Sequence, residues 1–310
     1  MQSFGVTRYK NKLNKLSFMD NTNPNKKYLV ILAGSPRGGE KTWHSLYKHV
    51  VNPLNADLAL CTSNKWNQEI SLFKKAKYKW VFNEYEDYLD YYRENFDGTW
   101  EEYFSSGVDT GLYSSGLIHF VFKDIIKNQH LNVLKEYKYI IYTRFDQFYL
   151  DAHPELSSDE ILIPEGENYS GICDRHAAFP SEYAEKFLSI CDYVDDKRSL
   201  NNIPDFNNCE VTFSNHMKST GLSKKIVRIK RTQFTASLKG EHTNWRTAKY
   251  KIHFYKDLMI KYPNEFMDGV RNSINHSSLF EFVNREPVIT FNYYYLLSRR
   301  IMGRIKSVFK

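Results

Sequence analysis

Thr143-Arg144-Phe145-Asp146 breaks an otherwise apolar run, Lys138 to Leu150, with a guanidinium and a carboxylate two residues apart. A buried strand gains nothing from such a pair, which points to a strand's carboxyl end, where open α/β sheets bind their ligands. Asp146 is a candidate ligand for a metal or a nucleotide sugar there, and Arg144 a candidate partner for phosphate. A second cluster is the turn from Gly34 to Thr42. Gly34 and its fellow glycines let the backbone approach a phosphate, Ser35 adds a hydroxyl, and Arg37 and Lys41 add charge at a helix N-terminus. The turn lacks the G-x-x-x-x-G-K-[ST] pattern of a P-loop, and a plain tight turn would look similar. The third cluster joins Asp174-Arg175-His176 to Glu210. Asp174 is placed to bond substrate hydroxyls, and Arg175 joins the candidate donor-binding residues. Glu210 opens a helix whose dipole favours the carboxylate, which suits a general base and equally a solvated first-turn acid. His242, in Gly240-Glu-His-Thr-Asn-Trp245, is a candidate additional metal ligand, although a lone histidine is more often structural.

The elements that position these residues are readable in outline. Tyr28 to Ala33 is a continuous apolar run closed by Gly34, as expected of a buried parallel strand. A helix is predicted from about Thr42 to Val51 and a strand over Asp57 to Cys61, a βαβ start. Residues 64 to 110 give no topology beyond a helix near Glu86 to Glu94. Leu117, Val121 and Ile125 share one face of a helix from Ser114 to Asn128, which feeds the strand carrying Asp146. Ile161 to Ile163 and Gly171 to Phe179 read as strands. Ser181 is the expected cap of a helix with Tyr183, Phe187, Leu188 and Cys191 on its apolar face. Asn207 or Asn208 precedes a helix to about Thr220, stopped by Gly221. Lys225 to Phe234 alternates as a strand does, and beyond Thr247 the chain reads as helices joined by loops. The expected organisation is a mobile basic arm over 1–26, a catalytic domain over 27–250 and a helical C-terminal extension over 251–310.

The 310 residues are enough for a large core, and 42% hydrophobic with 25% charged residues is ordinary for a soluble globular chain. A formal charge of +7 favours anionic partners. The basic residues are scattered and form no aromatic-basic motif, which disfavours nucleic acid as the partner. Cys61, Cys173, Cys191 and Cys209 stand far apart, signalling neither a zinc site nor a disulfide framework, and a reducing compartment is the simpler reading. The N-terminal stretch lacks the apolar run of a signal peptide, so the expected location is cytoplasmic, at most peripheral at a membrane surface. That last contact would run through residues 290–310. Arg299, Arg300, Arg304, Lys306 and Lys310 follow the last acid, Glu286, and Tyr294, Leu297, Ile301, Ile305 and Val308 form one helical stripe. The stripe either packs on the catalytic domain or lies on an anionic membrane.

The order of these motifs resembles nucleotide-sugar-dependent glycosyltransferases of the GT-A type. The motifs are an apolar strand with a Gly/Arg turn, Thr-Arg-Phe-Asp at 143–146, Asp-Arg-His-Ala-Ala-Phe at 174–179 and Asn-Cys-Glu at 208–210. In particular it is similar to members found in bacterial surface-polysaccharide clusters and in large DNA viruses of algae, over roughly residues 27 to 245. The resemblance implies an α/β, Rossmann-like, mostly parallel mixed sheet flanked by helices, a divalent metal (manganese or magnesium), a nucleotide-sugar donor and a glycan acceptor. Asp146 would take the place of the last acid of the family's Asp-x-Asp motif, and Glu210 that of the acid that deprotonates the acceptor in inverting members. Arg144 stands where the first Asp would be and could itself neutralise the diphosphate. A sulfotransferase is the competing enzyme class, because Gly34-Ser-Pro-Arg-Gly-Gly39 also looks like a phosphosulfate-binding turn; a carbohydrate-binding protein without catalysis is the third option.

Overall fold

The computed structural model describes residues 27–157, 159–241, 253–255, 258–273 and 287–308. The arm expected over 1–26 and the candidate ligand His242 lie outside the described residues.

The first half runs β1 (Tyr28–Ala33), α1 (Gly39–Leu46) continued by a π-turn over Tyr47–Val51, β2 (Asp57–Ser63), α2 (Ser71–Lys75) and β3 (Tyr78–Phe82). Helices α3 (Tyr88–Asn95), α4 (Thr99–Ser105) and α5 (Leu117–Leu134) then lead into β4 (Tyr139–Thr143). Every residue of β1 is buried, because layers of side chains cover both faces of the sheet. Leu29, Ile31 and Ala33 enter the core under α3, α4 and α5, while Tyr28, Val30 and Leu32 enter the core under α1 and α2. Those are the two cores of a three-layer α/β protein.

After β4 come β5 (Gln147–Tyr149), β6 (Ile161–Pro164), β7 (His176–Pro180), α6 (Ala184–Leu188), α7 (Ile190–Asp195), α8 (Lys197–Leu200), α9 (Cys209–Ser219), β8 (Ile226–Ile229) and β9 (Gln233–Leu238). The described remainder is β10 (His253–Tyr255), β11 (Leu258–Ile260), α10 (Pro263–Ser273) and α11 (Pro287–Val308). The main sheet has seven strands in the order β3-β2-β1-β4-β7-β6-β8. It is parallel except where β7 pairs antiparallel with both β4 and β6. The expected α/β class and mostly parallel mixed sheet are therefore present. A second, antiparallel sheet runs β10-β11-β9-β5 and packs on α10 and α11 through Phe234, Ile260, Phe266, Met267 and Leu296.

Four expectations change. The strand expected over 171–179 is formed only from His176, which leaves Gly171 to Arg175 as a connecting segment beside the cleft described below. The helix expected after Ser181 breaks into a 3₁₀ turn, α6 and α7, and the Ser181 side chain caps nothing. The strand expected over 225–234 is two strands in different sheets, parted by Lys230 to Thr232. Most consequentially, the segment after Thr247 is not all helix: β10 pairs with β11 and β11 with β9, so one sheet joins residues from both sides of position 250.

Candidate active site

Strands β2, β1 and β4 run side by side, and the chain leaves β1 to one side and returns through β4 on the other. That reversal opens a crevice at their carboxyl ends, the place where such sheets accommodate ligands. A cleft of about 640 Å³ lies there. Gly34, Ser35 and Arg37 line it from the end of β1, Arg144 and Asp146 from the end of β4, Asp174 and Arg175 from before β7, and Glu210 from the start of α9. Eight of the residues singled out in the sequence thus meet in one cavity. Lys41 does not join them: it is exposed on α1 and is not among the lining residues. A larger surface hollow of about 770 Å³ lies at the amino end of β2, beside Asp57, Lys75 and Lys77. It is at the wrong end of the strands for the switch-point crevice, and Asp57 is already bonded to Lys77 and Tyr137.

The Thr-Arg-Phe-Asp motif runs from the last residue of β4 through the turn before β5: Phe145 is buried in the core, while Arg144 and Asp146, half-buried, line the cleft. The turn is pinned to the second sheet, where the Ala236 amide donates to the Asp146 carbonyl at 2.8 Å. Asp146 Oδ1 is buried with no hydrogen-bond partner among the described residues, an acceptor open to a ligand. Asp174 is buried between Arg144 (3.6 Å) and Lys123 (3.8 Å). Burial alone would raise its pKa, but Arg144, Lys123 and Arg175 outweigh burial and hold its carboxyl below the usual range. Glu210 responds in the opposite sense. Burial first, and then the Asp174 charge, push its pKa up to about 7 against the pull of Arg175 and Arg144. Two carboxyls in one cleft are driven apart in this way, one kept ionised and one poised to take a proton near neutrality.

Backbone close approach fixes Glu210. The Asn208 side chain caps α9 by accepting from the Val211 amide at 2.8 Å, and its amide donates to the Tyr169 carbonyl at 3.0 Å. Ile172 donates its N–H to the Glu210 carbonyl at 3.0 Å. A β-carbon on Gly171 would stand 2.0 Å from that carbonyl oxygen, so only glycine lets the two segments meet. The preceding loop is strained: Glu167, Tyr169 and Ser170 hold φ of 47°, 43° and 68° without being glycine. Such a conformation persists only where the surroundings impose it, and Asn208, Arg175 and Arg228 all bond this loop.

Several cleft residues had no clear signal in the sequence. Lys261 and Tyr262 arrive from the end of β11, and Trp66, Tyr88 and His119 from the loops and helices beyond β2 and β3. Tyr262 lies beneath the Arg175 guanidinium, 4.6 Å from ring centroid to carbon, and Arg175 pairs with buried Glu265 at 3.1 Å. Lys123 did leave a trace, as the first charge in the apolar stretch that begins at Leu117. Glu241 left none. Its carboxylate accepts from the Gly38 amide (3.1 Å), the Leu238 amide (3.0 Å) and the Ser237 hydroxyl (2.7 Å). The amino end of α1 thus already holds an internal anion, and the Gly-rich turn offers the cleft Gly34, Ser35 and Arg37 rather than a helix N-terminus.

Of the two candidate metal ligands, Asp146 and His242, only Asp146 falls within the described residues. Among the described residues no three His, Cys, Asp or Glu side chains converge for an ion. Asp146 offers one open oxygen, and Arg144 and Lys261 place two positive charges within its electrostatic reach. Those cations are suited to hold phosphate directly. No protein-family model matches the chain, and no curated protein matches it. Fold and cleft define the class: a three-layer α/β protein with a mixed seven-stranded sheet and a polar, cation-rich crevice at its switch point.

Proposed function

We propose that the chain is a GT-A type glycosyltransferase, moving a sugar from a nucleotide-diphosphate donor to a glycan hydroxyl with inversion. The observation that carries this reading is Glu210, a carboxyl pushed up to about 7 by burial and Asp174, lining the same cleft as Arg144, Lys261 and Arg37. A base poised near the working pH and a cluster of cations are what displacement of a diphosphate needs. The acceptor hydroxyl gives its proton to Glu210 as its oxygen bonds to the anomeric carbon. The bond from that carbon to the diphosphate oxygen breaks, and its electron pair leaves on the diphosphate, where Arg144 and Lys261 meet the added charge. Asp174 stays ionised, holds Arg144 in place and helps keep Glu210 basic. Asp146 orients Lys261 and Arg144 and accepts a donor hydroxyl at its open oxygen. The aromatic rings of Trp66, Tyr88, Tyr169 and Tyr262, which line the same cleft, provide faces for a base and a sugar.

Release of nucleoside diphosphate from a panel of nucleotide sugars tests the reading, run with EDTA and with manganese, and with adenosine phosphosulfate for comparison. The expected result is turnover of a sugar donor that EDTA does not abolish. Glu210→Gln should lose about 10²–10⁴ in rate with donor affinity by calorimetry nearly unchanged, and Asp146→Asn at least ~100-fold. Turnover of the phosphosulfate alone would make the chain a sulfotransferase. Glycan binding with no donor turned over would make it a binding protein. Turnover that requires manganese would keep the transferase and overturn the Arg144–Lys261 clamp.

A further inference from the structure

Helix α11 has two opposed sides. Leu296 is buried against the second sheet and α10, in contact with the cluster of Phe234, Ile260, Phe266 and Val270. At 100° per residue, Tyr294, Ile301 and Ile305 lie roughly 140–180° around the helix from Leu296. They are exposed accordingly: Ile301 is 50%, Met302 54% and Ile305 45% accessible. Of the two readings of the stripe, packing on the catalytic domain therefore accounts for Leu297, which is half-buried, and not for the rest of its described residues. Arg304 and Lys306 are exposed on the two flanks of this apolar face, roughly 80° around the helix from Leu296 on either side, whereas Arg299 and Arg300, also exposed, stand nearer the Leu296 side, and no acid follows Glu286. Arg300 donates to Asn264 on α10 and Arg299 lies over the Tyr295 ring, contacts that keep these two charges near the packed side.

We infer that α11 lies flat on an anionic lipid surface, with Ile301, Met302 and Ile305 entering the headgroup boundary and the flanking cations meeting lipid phosphates. Charge complementarity selects this occupant: a protein partner would need a matching acidic rim, whereas a bilayer containing acidic lipids presents one everywhere. Among the described residues no helix is long and apolar enough to cross a membrane, so the contact is one of docking and not of spanning. The inference does not depend on the transferase reading, since it rests on a surface remote from Glu210 in sequence and carried by the second sheet.

Co-sedimentation of the full chain with vesicles tests it, comparing phosphatidylcholine alone with phosphatidylcholine plus phosphatidylglycerol at low and high salt. The expected result is sedimentation with the acidic vesicles only, weakened by salt. Arg304→Glu with Lys306→Glu should weaken binding by at least ~25-fold, as each basic residue strengthens it roughly fivefold. Ile301→Asp with Ile305→Asp, at sites already exposed, should abolish binding and leave the thermal unfolding temperature unchanged. No binding to acidic vesicles, equal binding to neutral ones, or unaltered binding by both double variants would overturn the inference. So would a wild-type dimer that the Ile301→Asp, Ile305→Asp variant converts to monomer without any vesicle binding, since a second copy would then cover the face.

Discussion

Glu210 holds its proton into the neutral range at a cost to the fold. An unfolded glutamate ionises near its ordinary value, whereas the folded group ionises at about 7. The folded state therefore binds the extra proton between those values, and the chain loses stability as the pH rises through that window. Replacing the carboxyl removes the loss. Glu210→Gln should be more stable than the wild type by about 1–3 kcal/mol at pH 8 and nearly equal to it at pH 5. Thermal unfolding at the two values checks this, and equal stabilities at pH 8 would show that Glu210 is ionised without penalty. Lys261 titrates from the other side. Burial first, then Arg144 and Arg175, push its ammonium down to about 8 against the pull of Asp146 and Glu265, while His119 and Tyr262 share its cleft. The pH profile of kcat/KM should therefore be bell-shaped, rising as Glu210 ionises and falling as Lys261 loses its charge. Lys261→Arg should carry the alkaline limb upward, because a guanidinium keeps its charge. An unmoved alkaline limb would remove Lys261 from the phosphate clamp.

At the scale of elements, the candidate base depends on how closely α9 and the 166–173 segment approach. Gly171→Ala must part them, since its β-carbon would meet the Glu210 carbonyl oxygen at 2.0 Å. The expected result is destabilisation of about 1–3 kcal/mol and a lowered kcat with nucleoside-diphosphate affinity kept, because the phosphate cations stand on β1, β4 and β11. Wild-type kcat in a folded Gly171→Ala variant would show that Glu210 need not be held there. What the sequence reveals of the site divides along the same lines. Tyr28 to Ala33 and Tyr139 to Thr143 are legible because strands buried on both faces are continuously apolar, and Arg144 and Asp146 stand out by interrupting one. Asn208 and Gly221 mark the two ends of α9 through local capping chemistry. The strand expected from Gly171 fails because its polar residues serve the cleft and not a ladder. Lys261, Tyr262 and Glu241 are invisible in sequence, because nothing local distinguishes a lysine at a short strand's end from any surface lysine. Pairing between β11 and β9, residues far apart in the chain, is what brings Lys261 and Tyr262 in.

That pairing bears on the whole molecule, since it ties the segment beyond residue 250 to the candidate cleft. Glu265 on α10 is fully buried and accepts from Arg175 and Arg231, each at 3.1 Å, and from the Thr235 amide at 2.8 Å. Burial alone would raise its pKa, but Arg175 and Arg231 hold it below the usual carboxylate range. Its contribution is thus present at neutral pH and lost as the pH falls into the acid range. Removing the carboxylate strands two buried guanidiniums, a loss of about 3–5 kcal/mol when one partner of a buried pair is deleted. Glu265→Gln should therefore unfold at distinctly lower denaturant than wild type at pH 7, with the difference shrinking in acid. A chain ending at residue 250 loses more: one of the two strand partners of β9, the Glu265 carboxylate, and Lys261 and Tyr262 from the cleft wall. The expected outcome is a fragment that fails to unfold cooperatively and binds no nucleoside diphosphate, measured by denaturant titration and calorimetry. Cooperative unfolding with full-length diphosphate affinity would instead make residues 251–310 an appendage, and would take Lys261 out of the mechanism along with them.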